Sequence, residues 1–271
     1  MSAEAPVSVS PAAGAPAAGR RLARVTAVTS GKGGVGKTFV ASNLAAALAR
    51  RGERVLVLDA DLGLANLDVV LNLAARVTLH DVFTGRATLA QAVQQAPGGF
   101  SVVLAGSGLI EYSRLTPEVR DRLISVVDEL RPRYDHVILD TGAGIADVVL
   151  FTVSLADEVL VVATPEPTSL ADAYATVKVL ASTQAARPLR LLVNQVQRTG
   201  EGRAVCGQLQ AVVDRFVNPG LASPLNLGFI GEVPSDPAVR EAVQRRQLLL
   251  EMLPGCQAAI ALVAAAGKLA G

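Results

Sequence analysis

Residues 30–38 form a glycine-rich loop with a spacing suited to phosphate binding. They read SGKGGVGKT, in which four residues separate Gly31 from Gly36 and the pair Lys37-Thr38 follows at once, as in a Walker A loop. Glycines let backbone N–H groups converge on phosphate, an ammonium group reaches the β- and γ-phosphates, and a hydroxyl binds Mg²⁺. The loop therefore predicts a bound nucleoside triphosphate with Mg²⁺. The predicted contacts are Gly31, Lys32, Gly33, Gly34, Val35, Gly36, Lys37 and Thr38.

The use of lysine distinguishes this loop from the rest of the chain. Only four of the 25 basic residues are lysines, and two of those four, Lys32 and Lys37, lie here. This choice indicates a need for compact ammonium groups beside phosphate. Lys32 is not part of the ordinary Walker A pattern, and its alternative role is that of a solvated loop side chain. An ordinary glycine-rich turn is disfavoured for the loop because a strand-like run precedes it and a helix-like run follows.

Acidic residues end two further apolar runs. Asp59 closes the run RVLVLD, and Asp61 lies two residues on, so both side chains point to one side of an extended chain. Asp140 closes YDHVILD and is followed by the turn TGAGI, as expected of a Walker B acid before a loop that senses phosphate. We predict that Asp140 holds Mg²⁺ through water. Asp61 has the alternative role of capping the turn that follows it.

Strand-like and helix-like segments alternate from residue 24 onward, and two helices are predicted after the last strand. The runs ending in Asp59 and Asp140 lack polar alternation, which is typical of parallel strands buried on both faces. The alternation predicts an α/β fold, with a doubly wound, mostly parallel sheet and helices on both faces. In such sheets ligands bind beyond the carboxyl ends of strands, where the loop and the acids lie. We predict one domain over residues 23–271 after a disordered tail over residues 1–22, which is rich in Ala, Pro and Ser.

Composition excludes several classes of protein. The net charge of +1, 3% aromatic residues and lack of tryptophan give no basic or base-stacking surface, so no specific nucleic acid partner is predicted. The two cysteines, Cys206 and Cys256, lie far apart, which disfavours a disulfide framework or a zinc site and fits a reducing cytoplasm. No segment has the roughly 18 uncharged apolar residues of a membrane span. A cytoplasmic location, or a peripheral one at the inner face of the cell membrane, is predicted.

The loop GKGGVGKT resembles the deviant P-loop of the MinD/ParA family, also called the SIMIBI class. The resemblance implies that the nucleotide is ATP and that the chain forms an ATP-dependent homodimer, in which Lys32 reaches the partner's nucleotide. It also implies that Asp59 supports the Mg²⁺ shell through water and that Asp61 orients or activates the attacking water. In the family a proline usually follows the Walker B acid closely, whereas residues 141–143 here read TGA.

The same resemblance assigns roles to residues at other strand ends. It places the adenine beside Asn194, whose amide offers a donor and an acceptor, and beside Pro234 and Asp236. The alternatives are a strand-end turn residue for Asn194 and a helix cap for Asp236. The implied site divides by role. The catalytic residues are Lys32, Lys37 and Asp61; the metal residues are Thr38, Asp59 and Asp140; the adenine residues are Asn194, Pro234 and Asp236.

Two segments resemble one branch of the family more specifically. Residues 59–73 (DADLGLANLDVVLNL) and 164–180 (TPEPTSLADAYATVKVL) resemble FlhG proteins, also called FleN or YlxH, which regulate flagellar number and placement. The implied partners are an FlhF-type GTPase or a flagellar transcription regulator. Residues 1–24 contain no DQAxxLR-like motif, the element with which FlhG relatives stimulate that GTPase. A MinD-type division-site regulator and a ParA-like partition ATPase are the alternatives.

The resemblance leaves two points for the structure and for experiment. The chain is predicted to be a slow ATPase that acts as a switch, and the alternative is a nucleotide-dependent binding module with negligible hydrolysis. Residues 256–271 contain mostly alanine and a single lysine, so they are predicted to pack on the domain and to bind membrane weakly or not at all. Residues 239–253 combine arginines and leucines, but a domain helix with a basic outer face is favoured over a membrane helix.

Overall fold

The computed structural model describes residues 21–63, 66–106, 114–183 and 187–271. The predicted disordered tail over residues 1–22 lies outside this range, apart from Arg21 and Leu22. Eight strands are present among the described residues, and they are β1 (Arg24–Ser30), β2 (Val55–Ala60), β3 (Gln94–Gln95), β4 (Ser101–Val103), β5 (His136–Ala143), β6 (Glu158–Ala163), β7 (Leu189–Val196) and β8 (Gly228–Pro234).

The helices of the described residues alternate with these strands. They are α1 (Lys37–Ala49), α2 (Leu67–Leu71), α3 (Leu79–Phe83), α4 (Leu89–Ala92), α5 (Pro117–Leu130), α6 (Asp147–Ser154), α7 (Pro167–Thr183), α8 (Glu201–Phe216), α9 (Pro237–Gln244), α10 (Leu249–Met252) and α11 (Gln257–Ala270). A short 3₁₀ turn, Asn218–Gly220, follows α8.

One sheet contains all eight strands in the order β3-β4-β2-β5-β1-β6-β7-β8. Only β3 runs antiparallel to its neighbour. Every residue of β2 and of β6 is buried, because helices cover both faces of the sheet. Two apolar clusters, one on each face, form the core. The predicted doubly wound, mostly parallel α/β fold is confirmed.

Helix α1 links the phosphate loop to the centre of the molecule. Ten of its 13 residues are buried, so the helix has no polar face of its own. The many alanines of this segment follow from that burial, because α1 packs against the sheet, α10 and α11 at once. Inside the helix, the Asn43 side chain donates to the Phe39 carbonyl (2.8 Å) and accepts from the Leu250 amide (3.2 Å). A polar contact thus ties α10 to α1.

The carboxyl-terminal region contains three helices instead of the two predicted. The segment over residues 239–253 does not run on as one helix, because Arg246 adopts a left-handed conformation with φ of 52° and the chain then turns inward. Leu248, Leu249 and Leu250 are buried in the core as a result. The burial of these leucines supports packing on the domain, which was favoured over a membrane helix, although the segment is divided between α9 and α10.

Helix α11 packs on β8 and α1 through its small side chains. The buried residues of this face are Ala258, Ala259, Leu262, Ala265, Ala266 and Leu269. This packing confirms that residues 256–271 pack on the domain, while Ile260 and Val263 face outward on the same helix. Weak or absent membrane binding stays a prediction. No helix among the described residues is long and apolar enough to cross a bilayer.

The contact between Asn43 and α10 leads to a stability prediction. Substitution Asn43→Ala leaves the buried Leu250 amide without an acceptor, so we expect a loss of about 1–3 kcal/mol in the free energy of unfolding, measured by urea denaturation. Ser42→Ala is the matched control, because the Ser42 hydroxyl only donates to the Thr38 carbonyl of its own helix. Equal effects of the two substitutions would contradict a structural role for the Asn43–α10 contact.

Candidate functional site

The phosphate loop connects the carboxyl end of β1 to the start of α1. Gly34 (φ 80°) and Gly36 (φ 94°) adopt left-handed conformations that other residues rarely populate. Gly36 is also pressed against β7, because a Cβ atom there would lie 2.5 Å from Asn194 Nδ2. The Asn194 side chain donates to the Val35 carbonyl (2.9 Å). The loop is therefore braced from the side by the end of a second strand.

The other end of the loop is braced by α7. A Cβ atom on Gly31 would lie 2.1 Å from the Asp172 carbonyl oxygen. Glycine is required at this position because backbone meets backbone there. Gly33, by contrast, has no atom within 4 Å of a Cβ built on it. The start of the loop thus depends on the position of α7, which the sequence around Gly31 gave no reason to expect.

Two buried carboxylates lie side by side below the loop. Asp59 and Asp140 are direct partners in the register of the neighbouring strands β2 and β5. They are only 1% and 2% exposed. The Thr38 hydroxyl hydrogen-bonds to Asp140, and the Leu67 amide hydrogen-bonds to the Asp59 carboxylate. The fold therefore brings together the three residues predicted to hold Mg²⁺.

Burial dominates the electrostatics of this pair. Burial raises the pKa of Asp140 to about 7, against the stabilising effects of the Thr38 hydroxyl and of the Lys37 ammonium group. Burial, with the nearby charge of Asp140, also raises the pKa of Asp59 well above its ordinary value. Burial lowers the pKa of Lys37, and the charges of Asp140 and Asp61 oppose that effect. Two acids and one base are thus held close together in a poorly solvated pocket.

The arrangement fits a magnesium ion bound with a polyphosphate. Asp140 Oδ1 is buried and has no hydrogen-bond partner within the described residues. A buried oxygen without a partner is expected to bind a ligand. Carboxylate and hydroxyl oxygens are the ligands that Mg²⁺ prefers. The start of α1 and the glycine amides supply the positive side of an anion site next to it. The residues present are therefore suited to Mg²⁺ and a nucleotide phosphate chain.

Asp61 lies where residues 61–63, after β2, approach residues 141–145, after the Walker B acid; we call these the two switch segments. Its Oδ1 atom accepts from the Gly63 amide (3.2 Å), so the predicted alternative role as a cap of the following turn is present. A Cβ atom on Gly142 would lie 3.4 Å from the same oxygen. Gly142 therefore leaves room for the Asp61 carboxylate beside the turn after the Walker B acid. Gly144, further along that turn, has φ of 87°.

Lys32 is engaged within its own chain in this structure. Its Nζ atom lies 3.1 Å from Glu166 Oε2 and 3.2 Å from Thr168 Oγ1. The lysine side chain is 42% exposed and that of Glu166 is 61% exposed. Exposed pairs of this kind contribute about 0–1 kcal/mol. Glu166 and Thr168 were missed as site residues, although they belong to the 164–180 segment that carries the specific resemblance.

The three residues assigned to adenine lie at neighbouring strand ends. Pro234 ends β8, and Asn194 lies two residues before the end of the paired strand β7. Asn194 Oδ1 accepts from the Gln195 amide (3.0 Å), so this side chain braces the loop and its own turn. Asp236 caps α9 through the Ala238 amide (2.9 Å) and also accepts from the Ala258 amide (3.2 Å). The alternative role of Asp236 as a cap is confirmed, and the adenine contacts stay predictions.

His136 and the two cysteines lie apart from this cluster. His136, at the start of β5, pairs with Glu53 at the opposite end of the sheet from Asp140. Cys206 is buried on α8, and Cys256 caps α11 by accepting from the Ala259 amide. Both cysteines are free thiols. His136, Cys206 and Cys256 therefore lie outside the phosphate site.

A mostly parallel sheet with a Walker A loop after β1, a Walker B acid in β5 and a pocket suited to Mg²⁺ between them defines a P-loop NTPase. Residues 21–270 match the protein family ParA, which is described as an NUBPL iron-transfer P-loop NTPase. The chain therefore belongs to the ParA family of P-loop NTPases. It is an ATPase that uses ATP and Mg²⁺, as predicted from the phosphate loop.

Curated relatives place the chain near flagellar proteins. It is 42% identical to the antiactivator FleN of Pseudomonas aeruginosa over 245 residues, which cover 90% of this chain and 85% of FleN. It is 32% identical to the flagellum site-determining protein YlxH of Helicobacter pylori over 232 residues, or 84% of this chain and 75% of YlxH. The predicted resemblance to the FlhG branch of the family is confirmed.

Solved structures of MinD share the fold. MinD of Pyrococcus horikoshii, complexed with Mg-ADP, superposes with a TM-score of 0.74 at 26% identity, covering 91% of this chain and 96% of that one. MinD in the MinC:MinD complex of Aquifex aeolicus gives a TM-score of 0.73 at 28% identity, over 91% and 95% of the two chains. The fold assignment therefore rests on nearly the whole described chain.

The close approach of Gly31 to α7 gives a prediction with a built-in control. Gly31→Ala places a methyl group on the Asp172 backbone, so we expect the loop to be displaced and ATP affinity to fall by more than about tenfold in calorimetric titration. The thermal midpoint should fall as well. Gly33→Ala adds the same methyl group in open space and should leave the midpoint unchanged. A Gly31→Ala protein with unaltered stability and affinity would contradict the bracing role of α7.

The raised pKa of Asp140 predicts how stability depends on pH. The native state keeps a proton that the unfolded chain releases between the ordinary value of 3.8 and the raised value of about 7. The free energy of unfolding of the nucleotide-free protein should therefore fall as pH rises through this window. The contribution of this one carboxylate is at most about 4 kcal/mol.

Asp140→Asn should remove much of this dependence, leaving the part that Asp59 contributes. We expect the variant to gain stability over the wild type at pH 8 and little or nothing at pH 4, as measured by urea unfolding at both values. Asp128→Asn, at an exposed position on α5, is the matched control and should change neither value. A gain that is equal at both pH values would show that Asp140 is ionised throughout.

Proposed function

We propose that this protein is an ATP-hydrolysing switch that dimerises when it binds ATP and that regulates flagellar number or placement. The observation that carries the proposal is the second loop lysine, Lys32, beside a complete magnesium and phosphate site in a chain that aligns with FleN over 90% of its length. In this proposal, a single domain over residues 23–271 performs the function.

The roles of the site residues follow from their positions. Lys37 and the glycine amides bind the phosphates, and Thr38, Asp59 and Asp140 surround Mg²⁺. When bound, Mg²⁺ neutralises charge on the β- and γ-phosphate oxygens. Asp61, which lies against Gly142 at the meeting point of both switch segments, positions the attacking water. Asn194, Pro234 and Asp236 line the adenine end of the site.

The position of Lys32 supports its proposed role between two subunits. Its pairing with Glu166 and Thr168 is exposed and weak, so a nucleotide phosphate brought close by a second subunit can compete for the ammonium group. The pair would then open in the ATP-bound dimer and re-form after hydrolysis. In this proposal Lys32 is catalytic only in the dimer, whereas Lys37 acts in each subunit alone.

The division of labour predicts distinct behaviour for three variants. Asp61→Ala should bind Mg-ATP, lose phosphate release by about a hundredfold, and shift from monomer to dimer in light scattering with ATP but not with ADP. Lys37→Ala should bind no nucleotide. Lys32→Ala, combined with Asp61→Ala, should bind Mg-ATP and stay monomeric. Dimerisation of the double variant that equals that of Asp61→Ala would disprove the cross-subunit role.

The same variants test the alternative, a nucleotide-dependent binding module with negligible hydrolysis. The wild type should release phosphate slowly but faster than Asp61→Ala. If the wild type and Asp61→Ala released phosphate at equal rates, the protein would bind ATP, but hydrolysis would not be part of its function.

The flagellar assignment has its own test in the source organism. Deleting the gene should raise the number of flagella or misplace them, because FleN is an antiactivator and YlxH is a flagellum site-determining protein. The measurement is electron microscopy of flagella and of cell division in the same cells, with complementation as the control. Minicells with normal flagella would instead support the MinD-type alternative.

The MinD-type alternative has support of its own. The chain is 39% identical to the septum site-determining protein MinD of Bacillus subtilis, but only over 172 residues, or 63% of this chain. A ParA-like positioning ATPase is a further alternative within the family. We favour the flagellar assignment because FleN matches a greater share of the chain at higher identity.

A flagellar transcription regulator or an FlhF-type GTPase is the partner in this proposal. Because FleN is an antiactivator, the transcription regulator is the favoured partner. We further propose a cytoplasmic location, with weak or no binding to the inner face of the membrane, because α11 is occupied with β8 and α1. Liposome co-sedimentation with ATP tests this, and strong pelleting that is lost on removal of residues 256–271 would overturn it.

A further inference from the structure

A small cleft separates the end of α2 from the junction between α9 and α10. Its volume is about 360 Å³. Its most buried lining, which we call the floor, consists of Leu71 and Leu248 with the part-buried Met252. The rest of the lining is mixed, and consists of Leu73, Pro97 and the exposed polar residues Asn72, Gln247 and Glu251. Arg246 stands exposed at the rim. We call this feature the α2–α10 cleft.

The backbone is strained on both sides of this cleft. Asn72 (φ 50°) ends α2 and Arg246 (φ 52°) follows α9, and they are two of the three non-glycine residues with positive φ in the described chain. Arg246 occupies the position after a helix end where glycine is favoured, since the next amide, of Gln247, bonds back to the Ala242 carbonyl (3.0 Å). A bulky non-glycine residue is uncommon in this conformation, and such residues cluster at functional sites.

The charge of Arg246 is not neutralised within the described chain. Its neighbour Arg245 pairs with Glu241 (2.7 Å), and Glu251, on the lining of the cleft, pairs with Arg50 (2.6 Å). Arg246 itself forms no ion pair or hydrogen bond through its side chain with any described residue. The cleft therefore presents an apolar floor beneath one unpaired guanidinium group, which is complementary to an apolar side chain next to a carboxylate.

The two walls of the cleft connect to different parts of the nucleotide site. Leu67, the first residue of α2, donates its amide to the carboxylate of the magnesium-site acid Asp59. The opposite wall is anchored to α1 by the Asn43–Leu250 contact and by Arg50, which donates to the Leu250 carbonyl (2.7 Å). Both walls also pack against α1 in one apolar cluster, so only the Leu67–Asp59 contact distinguishes the α2 wall, and in the proposal a displacement of Asp59 would shift α2 relative to α10. Small shifts at switch acids are commonly amplified in this way.

We propose that the α2–α10 cleft is a nucleotide-sensitive docking site for a partner-protein segment that carries a large apolar anchor beside a carboxylate. The volume lies at the small end of the range for small-molecule pockets, and no buried polar group lines the cleft to orient such a molecule. A leucine-sized anchor with a neighbouring acid matches both the floor and Arg246. The nucleotide sensitivity rests on the proposed role of Asp59 at Mg²⁺, whereas docking itself does not.

A defined pair of peptides tests the proposal. The first is a fluorescent helical peptide with leucine at positions spaced by three and four residues and glutamate elsewhere, and the second has lysine in place of glutamate. In fluorescence anisotropy the acidic peptide should bind the full-length protein about tenfold more tightly than the basic one. Its affinity should change by about fivefold or more between Mg-ATP and Mg-ADP in the Asp61→Ala background, which prevents turnover.

The decisive variant is Arg246→Gly, which keeps the left-handed backbone and removes only the side chain. It should weaken the acidic peptide by about tenfold while the urea midpoint stays the same or rises, a combination that a merely structural arginine would not produce. Arg245→Ala removes the adjacent, paired arginine and should leave peptide affinity within about twofold. Calorimetry should show unchanged Mg-ATP binding in both variants.

Three outcomes would overturn the proposal. They are equal binding of the acidic and basic peptides, equal loss of affinity in Arg246→Gly and Arg245→Ala, and no measurable binding of the acidic peptide. If peptide affinity depends on Arg246 but is the same with Mg-ATP and Mg-ADP, the cleft is a docking site, and its coupling to the nucleotide through Asp59 is wrong. Since Mg-ATP binding is measured on the same samples, failure of the cleft is distinguishable from failure of the ATP switch.

Discussion

Two carboxylates buried next to each other at the ends of β2 and β5 impose the main constraint on this structure. Asp59 and Asp140 are register partners on the adjacent strands β2 and β5. Solvent does not reach them there, and their like charges repel each other. Burial raises the pKa of both carboxyl groups, and the Lys37 ammonium group lies close enough for its charge to oppose that effect at Asp140. In the proposed function, the two carboxylates would hold Mg²⁺ and Lys37 would face the phosphates, so a bound Mg-nucleotide would offset the cost of burying these charges.

The phosphate loop depends on supports that are remote in the chain. Gly31 touches the Asp172 backbone on α7, and Gly36 touches Asn194 at the end of β7. These contacts leave no space for side chains, so the loop is held by shape as well as by its own glycines. The segment that supports Gly31 also supplies Glu166 and Thr168, which bind Lys32. One helix start thus fixes the loop and holds the lysine that is proposed to act across the dimer.

Two hydrogen bonds connect this pocket to the elements around the α2–α10 cleft. The Leu67 amide bonds to Asp59 at the start of α2, and Asn43 links α10 to the helix that begins at the phosphate loop. Each bond has at least one buried partner, and loss of a partner costs more there than in water. The α2–α10 cleft lies between the two connected elements, and the proposed nucleotide sensitivity of the cleft rests on this placement.

Local sequence determined the strands, the larger helices and the chemistry of the loop. Continuous apolar runs indicated strands covered on both faces, and the order Gly31, Gly36, Lys37, Thr38 indicated phosphate binding, because each signal lies within one short segment. Asp59 and Asp140 could be recognised for the same reason, as the last residues of such runs.

Tertiary structure decided what depends on distant segments meeting. The sequence did not show that Asn194 would brace Val35, that Glu166 would hold Lys32, or that the carboxyl-terminal region would divide into three helices. Each follows from packing: β7 ends beside the loop, α7 begins beside it, and the leucines at 248–250 turn into a core that α1 and α11 complete. Side-chain type and spacing determine which chemistry is available, whereas the order of strands in the sheet determines which residues share it.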